Sequence, residues 1–553
     1  MHAIPMVVRN YPSGVCAFLL GASLALRAFG AEAPPPRQPA PSPEQPAVEQ
    51  HFKAEQQTSE GSVSIGGRNI DYQALAGTLV IHPKGWDDVP QNADKDKPVP
   101  EASMFYAAYF AKGAKAERRP ITFLYNGGPG SSTVWLHMGA FGPRRVVTAS
   151  DTHTAAAPYE IVPNEYSLLD VSDLVFVDAP GTGFSRIGGK DKEREKAFYG
   201  IDADAQAFVD FIYQFLSRYE RWNSPKFLFG ESYGTTRNAV VVNLLQSERF
   251  VDVNGVIDLS QAQLWEDLPD FEDANPGSDL VFVLGLPTFA ATAWYHHALA
   301  PDAPRELEAL LKEVEQFATS EYLVALQAGA GLDAAERRSI VRKLNRYTGL
   351  PEATIEKANL RISGGVFEKH LKGDSDVTVG RLDSRFSGPT MDPLSKAADY
   401  DPQEAAIGSA YVSALNKYVR SDLKFGADRT YKPEIDVFPV WNFQHQAPGI
   451  PAALPLTPNV LPDLAAAMKR NPQLKVMFNS GYYDIATPFF ATLYERDHLS
   501  IPEKLRANVE VALYESGHMV YAHEASHRAL HDKVASFIQR ASAEPAAATQ
   551  RDR

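Results

Sequence analysis

The chain has 553 residues, 44% hydrophobic and 22% charged, a composition that supports a large buried core without disulfide or metal staples. Its length corresponds to one large domain with insertions, or to two or three domains. The formal net charge of -14 leaves no basic footprint, which argues against nucleic-acid binding and speaks otherwise only for solubility.

Residues 1–31 read as a signal peptide. Arg9 supplies a positive start, Val15 to Leu26 form a 12-residue apolar run, and Ala28-Phe29-Gly30-Ala31 offer small residues for cleavage. That run is short of the ~20 residues needed to span a bilayer, so no membrane anchor is expected after cleavage. The single cysteine, Cys16, lies inside this segment, so the mature chain has no disulfide. No Asn-x-Ser/Thr sequon occurs either. Both absences fit a bacterial protein that is periplasmic or secreted.

Residues 32–60 carry a proline-rich stretch, Pro34 to Pro46, and read as an extended linker. Folded sequence is expected from Gly61. Ser62–Ile65, Arg68–Gln73 and Gly77–Ile81 read as short strands parted by glycine-rich turns, and Ser103–Phe110 as another. Then come short apolar runs at Ile121–Tyr125, Leu174–Asp178, Phe227–Phe229, Val256–Leu259, Leu474–Phe478 and Val509–Tyr514. Helical patterns such as Asp202–Tyr219 and Thr235–Gln246 lie between them. Buried strands alternating with helices predict an α/β fold with a mostly parallel central sheet. Ligands in such sheets sit beyond the carboxyl ends of the strands. Residues 61–289 and 433–541 are assigned to this core. Residues 290–432 read as a mainly helical insertion, or cap, with helical spacing in Arg305–Gln327 and Ala334–Tyr347 and weak periodicity in Gly364–Tyr400. Residues 542–553 read as a frayed tail.

The residues that follow the strands carry the chemistry. Gly230-Glu231-Ser232-Tyr233-Gly234 is G-x-S-x-G between a strand and a helix, the turn that lifts a nucleophilic serine out of a sheet. Such a serine needs a base and the base an orienting acid, in the chain order Ser, Asp, His. Asp484 and His518 each follow a late strand and fill that order. His296 and His297 read as helix residues of the insertion. His523, His527 and His531, without the glutamate of H-E-x-x-H, read as a partly exposed helix face rather than a zinc site. Asn126-Gly127-Gly128-Pro129-Gly130-Ser131-Ser132 lets backbone N–H groups approach a substrate, and no G-K-[ST] follows to make it a phosphate loop. The oxyanion donors expected here are the N–H groups of Gly128 and Tyr233.

Four blocks together resemble the serine carboxypeptidases, which are α/β-hydrolases. They are Asn126–Ser132, Val177-Asp178-Ala179-Pro180-Gly181-Thr182-Gly183-Phe184-Ser185, Gly230–Gly234, and Gly517-His518-Met519-Val520. The resemblance implies Ser232, Asp484 and His518 as catalytic triad, with Gly128 and Tyr233 as oxyanion hole. It implies Asn126, Gly127 and Glu231 as binders of the substrate's terminal carboxylate, and Met519 as lining for the leaving residue. It also implies peptide substrates with a free C-terminus, no metal or cofactor, and a helical insertion before the aspartate. A Glu231 buried beside the nucleophile would have a raised pKa, and once protonated would donate to a carboxylate. Acid-favoured activity follows.

Three departures stand out. Ala140 occupies the place of a second glutamate that pairs with the first in many members; Arg144 or Arg145 is then an alternative clamp, or a solvated charge. Leu124 stands where the family often has Trp. The disulfides of eukaryotic members are missing, which leaves the insertion more mobile. An esterase or acyltransferase with the same triad is the alternative reading, favoured by Ala140. Intact Ser232, Asp484 and His518 argue against a non-catalytic binding module.

Overall fold

The computed structural model describes residues 52–86, 100–373 and 376–543. The expected signal peptide, most of the proline-rich linker and nearly all of the tail lie outside the described residues. Strands β1 (Gln56–Ile65) and β2 (Arg68–Ile81) form a long antiparallel hairpin. Folded sequence thus starts before Gly61, and the break expected at Gly77 does not occur. Gly77 faces Gln56 within the ladder, and a Cβ there would lie 2.4 Å from the Glu55 carbonyl oxygen. The glycine admits a close backbone neighbour and turns nothing.

Strand β3 (Ala102–Ala111) continues the antiparallel part. The six apolar runs become β4 (Ile121–Tyr125), β5 (Asp173–Val177), β6 (Lys226–Glu231), β7 (Gly255–Leu259), β8 (Lys475–Gly481) and β9 (Val509–Tyr514). The sheet order is β1-β2-β3-β5-β4-β6-β7-β8-β9, with the two-residue strand Arg186–Ile187 as tenth member beside β3. Pairing is parallel from β5 to β9. The central runs are mostly apolar because both faces of the sheet are covered there. Phe227 and Phe229 of β6 point into a layer with Leu530, Val534 and Phe537 of the last helix. Leu228 points into the opposite layer with Phe208, Phe211 and Val241. Helices α1 (Ile201–Arg218) and α2 (Tyr233–Glu248) build that second layer. This is the α/β-hydrolase architecture.

The segment between β7 and β8 adds no strand to the large sheet. It is wider than the expected 290–432, because α3 (Leu280–Tyr295) already belongs to it. Arg305–Gln327 is broken into α4 (Leu307–Phe317), a π-helical turn at Ala318–Tyr322 and α5 (Leu323–Ala328). Helix α6 (Ala334–Thr348) starts on Asp333, whose side chain accepts from the Ala335 and Glu336 N–H groups. Leu284, Phe289, Leu310, Val314, Ile340, Leu344 and Phe367 give this part its own apolar core. Gly364–Tyr400 holds a short helix, Gly364–His370, and a small hairpin, Val377–Val379 with Ser387–Pro389. Helix α7 (Pro402–Ser421) then packs Ile407, Tyr411, Leu415 and Tyr418 back into the sheet layer. The final helix, α8 (Glu524–Ser542), runs into the expected tail.

Candidate active site

At the end of β6 the chain reverses through Ser232, held at φ 60° and ψ -130°, and enters α2 at Tyr233. A positive φ at a non-glycine residue is strained and needs support. The Ser232 N–H supplies some by donating to the Leu259 carbonyl of β7 at 2.9 Å. A Cβ on Gly230 would lie 2.2 Å from the Gly234 carbonyl oxygen, so this turn closes only with glycine. In the first turn of α2 the Thr235 N–H donates to the Ser232 carbonyl at 2.8 Å, and Tyr233 lines the cavity.

The loop after β4 meets this helix start. A Cβ on Gly127 would lie 2.3 Å from the Tyr233 nitrogen, so the backbones of Gly127 and Tyr233 are in direct contact. That contact sets Gly128 beside the donor end of α2. Arg237, one turn into α2, anchors the loop from beneath: its Nη1 donates to the Asn126 carbonyl at 2.8 Å. Its Nε and Nη2 hold Asp204 of α1 at 2.7 and 3.2 Å, and it is 1% exposed. The block Val177–Ser185 braces the same loop. Asp178, fully buried, accepts from the Thr133 N–H and hydroxyl at 2.9 and 2.8 Å.

Asp484 follows β8 and His518 follows β9. His518 Nδ1 lies 2.8 Å from Asp484 Oδ2. Asp484 also accepts from the Thr487 N–H at 2.9 Å and from its hydroxyl at 2.6 Å. Burial alone would lower the His518 imidazole, but Asp484 and Glu231 hold it above the ordinary histidine range. Its charged form is therefore favoured.

Ser232, Glu231, Tyr233, Asn126, Gly127, Gly128, His518 and Met519 all line one cavity of about 440 Å³. Asp484 stands behind His518, with no exposed surface. Every site residue expected from sequence is thus in one place. Glu231 is 2% exposed, and burial pushes its carboxyl up to about 7 against the opposing pull of His518, Tyr521 and Asn126. The Tyr521 hydroxyl donates to it, 2.9 and 3.1 Å from its two oxygens. Ala140 lies in a buried π-helical turn, Leu136–Phe141. Neither Arg144 nor Arg145 lines the cavity; Arg145 pairs with Glu524 at 3.7 Å and lies over the Tyr166 ring. His527 is not on an exposed face: it is 2% exposed and its Nε2 lies 2.7 Å from the Ala140 carbonyl oxygen. An apolar face of α8 packs on the sheet and takes it inward.

Ser131 and Trp135 after β4 and Ala486 and Thr487 after β8 also line the cavity, and the other walls come from the long segment between β7 and β8, which sequence reasoning left empty of site residues. Trp265, Leu268, Phe271 and Phe438 give apolar surface; Asp270, Arg381, Glu404 and Glu434 give polar surface. Arg381 and Asp270 form a bidentate pair. Arg381 also begins a strap on both late loops. The Arg381 carbonyl accepts from Ile485 N–H at 3.0 Å, and the Leu382 carbonyl from His518 N–H at 2.7 Å. Asp383, fully buried, accepts from Gly517 N–H at 3.1 Å and binds Arg385. Asp484-x-x-Thr487 was readable as a side-chain-to-backbone turn. Asp204 and Arg237 were readable as charges within otherwise apolar helix faces. Nothing local marks the strap or Tyr521.

The family model described as serine carboxypeptidase matches residues 95–252. Over these residues the chain is similar to the serine carboxypeptidases. The match takes in the Asn126 loop, the Asp178 block and the Ser232 turn. Serine carboxypeptidase-like 33 of Arabidopsis thaliana is 24% identical over 222 residues, 38% of this chain and 41% of that protein. The chain therefore matches less than half the length of this relative. Among solved structures, a proline iminopeptidase of Mycobacterium smegmatis aligns at 12% identity and a TM-score of 0.31, covering 88% of this chain and 99% of the other. A soluble variant of monoglyceride lipase from Saccharomyces cerevisiae aligns at 8% and 0.32, covering 84% and 96%. Likeness at this level carries no argument about the reaction.

Proposed function

We propose that the chain is an exported serine carboxypeptidase that releases C-terminal residues from peptides through an acyl-enzyme. The observation that carries this reading is the buried Glu231 carboxyl, pushed up to about 7, in one cavity with Ser232, His518 and Asn126. A carboxyl that stays protonated in weak acid donates to a carboxylate where an ionised one repels it. The Asn126 side chain and the Gly127 backbone complete that binding end.

In this mechanism Ser232 Oγ attacks the carbonyl carbon of the last peptide bond, and His518 takes its proton. Asp484 holds the imidazole through Nδ1, and Thr487 holds Asp484. The N–H groups of Gly128 and Tyr233 take the charge that develops on the carbonyl oxygen. His518 then gives its proton to the leaving amine, whose side chain rests on Met519. Water, deprotonated by His518, releases the acyl group and restores Ser232.

The test is hydrolysis of a blocked dipeptide and of its C-terminal amide from about pH 4 to pH 8, with Ser232→Ala as control. Cleavage of the free acid alone, strongest in acid and falling as Glu231 ionises near pH 7, is expected. Equal cleavage of acid and amide would remove the carboxylate claim. Activity on esters alone would favour the second reading, an esterase or acyltransferase with the same triad, which Ala140 supports by taking away the glutamate partner. Export rests on Arg9 and the apolar run Val15 to Leu26. N-terminal sequencing of exported protein tests it, with cleavage expected near Ala31.

A further inference from the structure

We infer that Tyr521 is the positioning residue that sets the protonation of Glu231, and with it the pH range over which a terminal carboxylate is read. This rests on the carboxypeptidase reading above. The tyrosine hydroxyl lies 2.9 and 3.1 Å from the two oxygens of Glu231, and Tyr521 is 4% exposed. The ring has a place because residue 139 is glycine: a Cβ there would lie 2.7 Å from Tyr521 Cε2 and 2.5 Å from Tyr411 Cε1. Gly139 leaves out the side chain that would otherwise meet the Tyr521 and Tyr411 rings. Tyr521 takes that room and brings its hydroxyl to Glu231.

The other groups acting on Glu231 come from the elements around it: His518 after β9, Asp484 after β8, Asn126 after β4 and Tyr411 of α7. Among them only His518 can offset the burial of a Glu231 anion with a full positive charge, and it must lose that charge to act as base. A neutral donor that does not titrate in the working range gives the steadier partner. A phenol hydroxyl donating to a carboxylate favours the ionised form. Tyr521 therefore holds the Glu231 pKa below where burial alone would put it. Removing the hydroxyl raises it; a stronger donor lowers it.

Two variants of opposite sign test this: Tyr521→Phe, and 3-fluorotyrosine at position 521, a near-isosteric and stronger donor. The readouts are infrared titration of the protonated-carboxyl band that Glu231→Gln removes, and the pH dependence of KM for a blocked dipeptide with a free C-terminus. The band and the alkaline limb are expected to move up by about one pH unit in Tyr521→Phe and down by a few tenths with fluorotyrosine. A role in packing alone would move neither in opposite directions. If the wild type prefers the free acid but both variants keep its titration and limb, Tyr521 does not set Glu231, and the carboxypeptidase reading stands. If the wild type shows no preference for the free acid, that reading falls and this inference falls with it. Should Tyr521→Phe not fold, the fluorotyrosine shift decides alone: a downward move supports the inference and an unmoved band overturns it.

Discussion

The carboxyl ends of β4, β6, β8 and β9 and the long segment between β7 and β8 line the same cavity, but they are built on different terms. The strand ends supply short motifs, each at the end of its own strand: a glycine turn, a helix start, an aspartate after β8 and a histidine after β9. The long segment supplies Trp265, Arg381, Glu404 and Phe438 through contacts among residues far apart in sequence. Reacting groups tolerate little displacement and belong on the rigid sheet. Walls that choose a substrate tolerate more, and belong to the part that varies.

The sharpest way to break this contrast is to remove a strand-end group. Ser232→Ala is expected to abolish fluorophosphonate labelling and to lower kcat at least ~10⁴-fold, and Asp484→Asn to lower it about as far. Retained labelling in Ser232→Ala would put the nucleophile elsewhere. Next comes the anchor beneath the site. Arg237→Ala leaves Asp204 buried without its partner and is expected to cost about 3–5 kcal/mol in denaturant unfolding. Arg381→Ala breaks the half-exposed pair with Asp270, 39% and 40% exposed, and is expected to cost under about 1 kcal/mol. Equal costs would erase the distinction between the two regions.

Asp383→Asn sits on the border between them. It weakens the hold on the Gly517 N–H next to His518, and is expected to lower kcat about tenfold with KM little changed. A change in KM alone would make the strap a wall and not a brace. The smallest effect is expected at Phe438→Ala, a cavity residue 44% exposed: KM a few-fold higher, kcat unchanged.

The same division decides what was legible in the sequence. The six parallel strands, the Ser232 turn and the Asn126 loop were readable because each is fixed by a few consecutive residues. Gly77 misled, because a glycine in a strand reads as a turn and here makes room for the Glu55 carbonyl. His527 was read as partly exposed because helical spacing shows which residues share a face, not what that face packs on. Tyr521 was two residues past Met519 and still silent: its meaning depends on Gly139 and Glu231, each far away in the chain. Asp383 lay in a stretch with little periodicity, where side chains serve backbone groups of other loops.

The strap over Arg381 to Arg385 has a consequence for anyone who would re-engineer this protein. A lid that only covers a site is a removable part. Here the covering segment lends carbonyls to the loops of Asp484 and His518, so a graft in its place would carry off part of what holds those two loops. Altered selectivity is better sought by randomising Trp265, Phe271 and Phe438 while these five residues stay as they are.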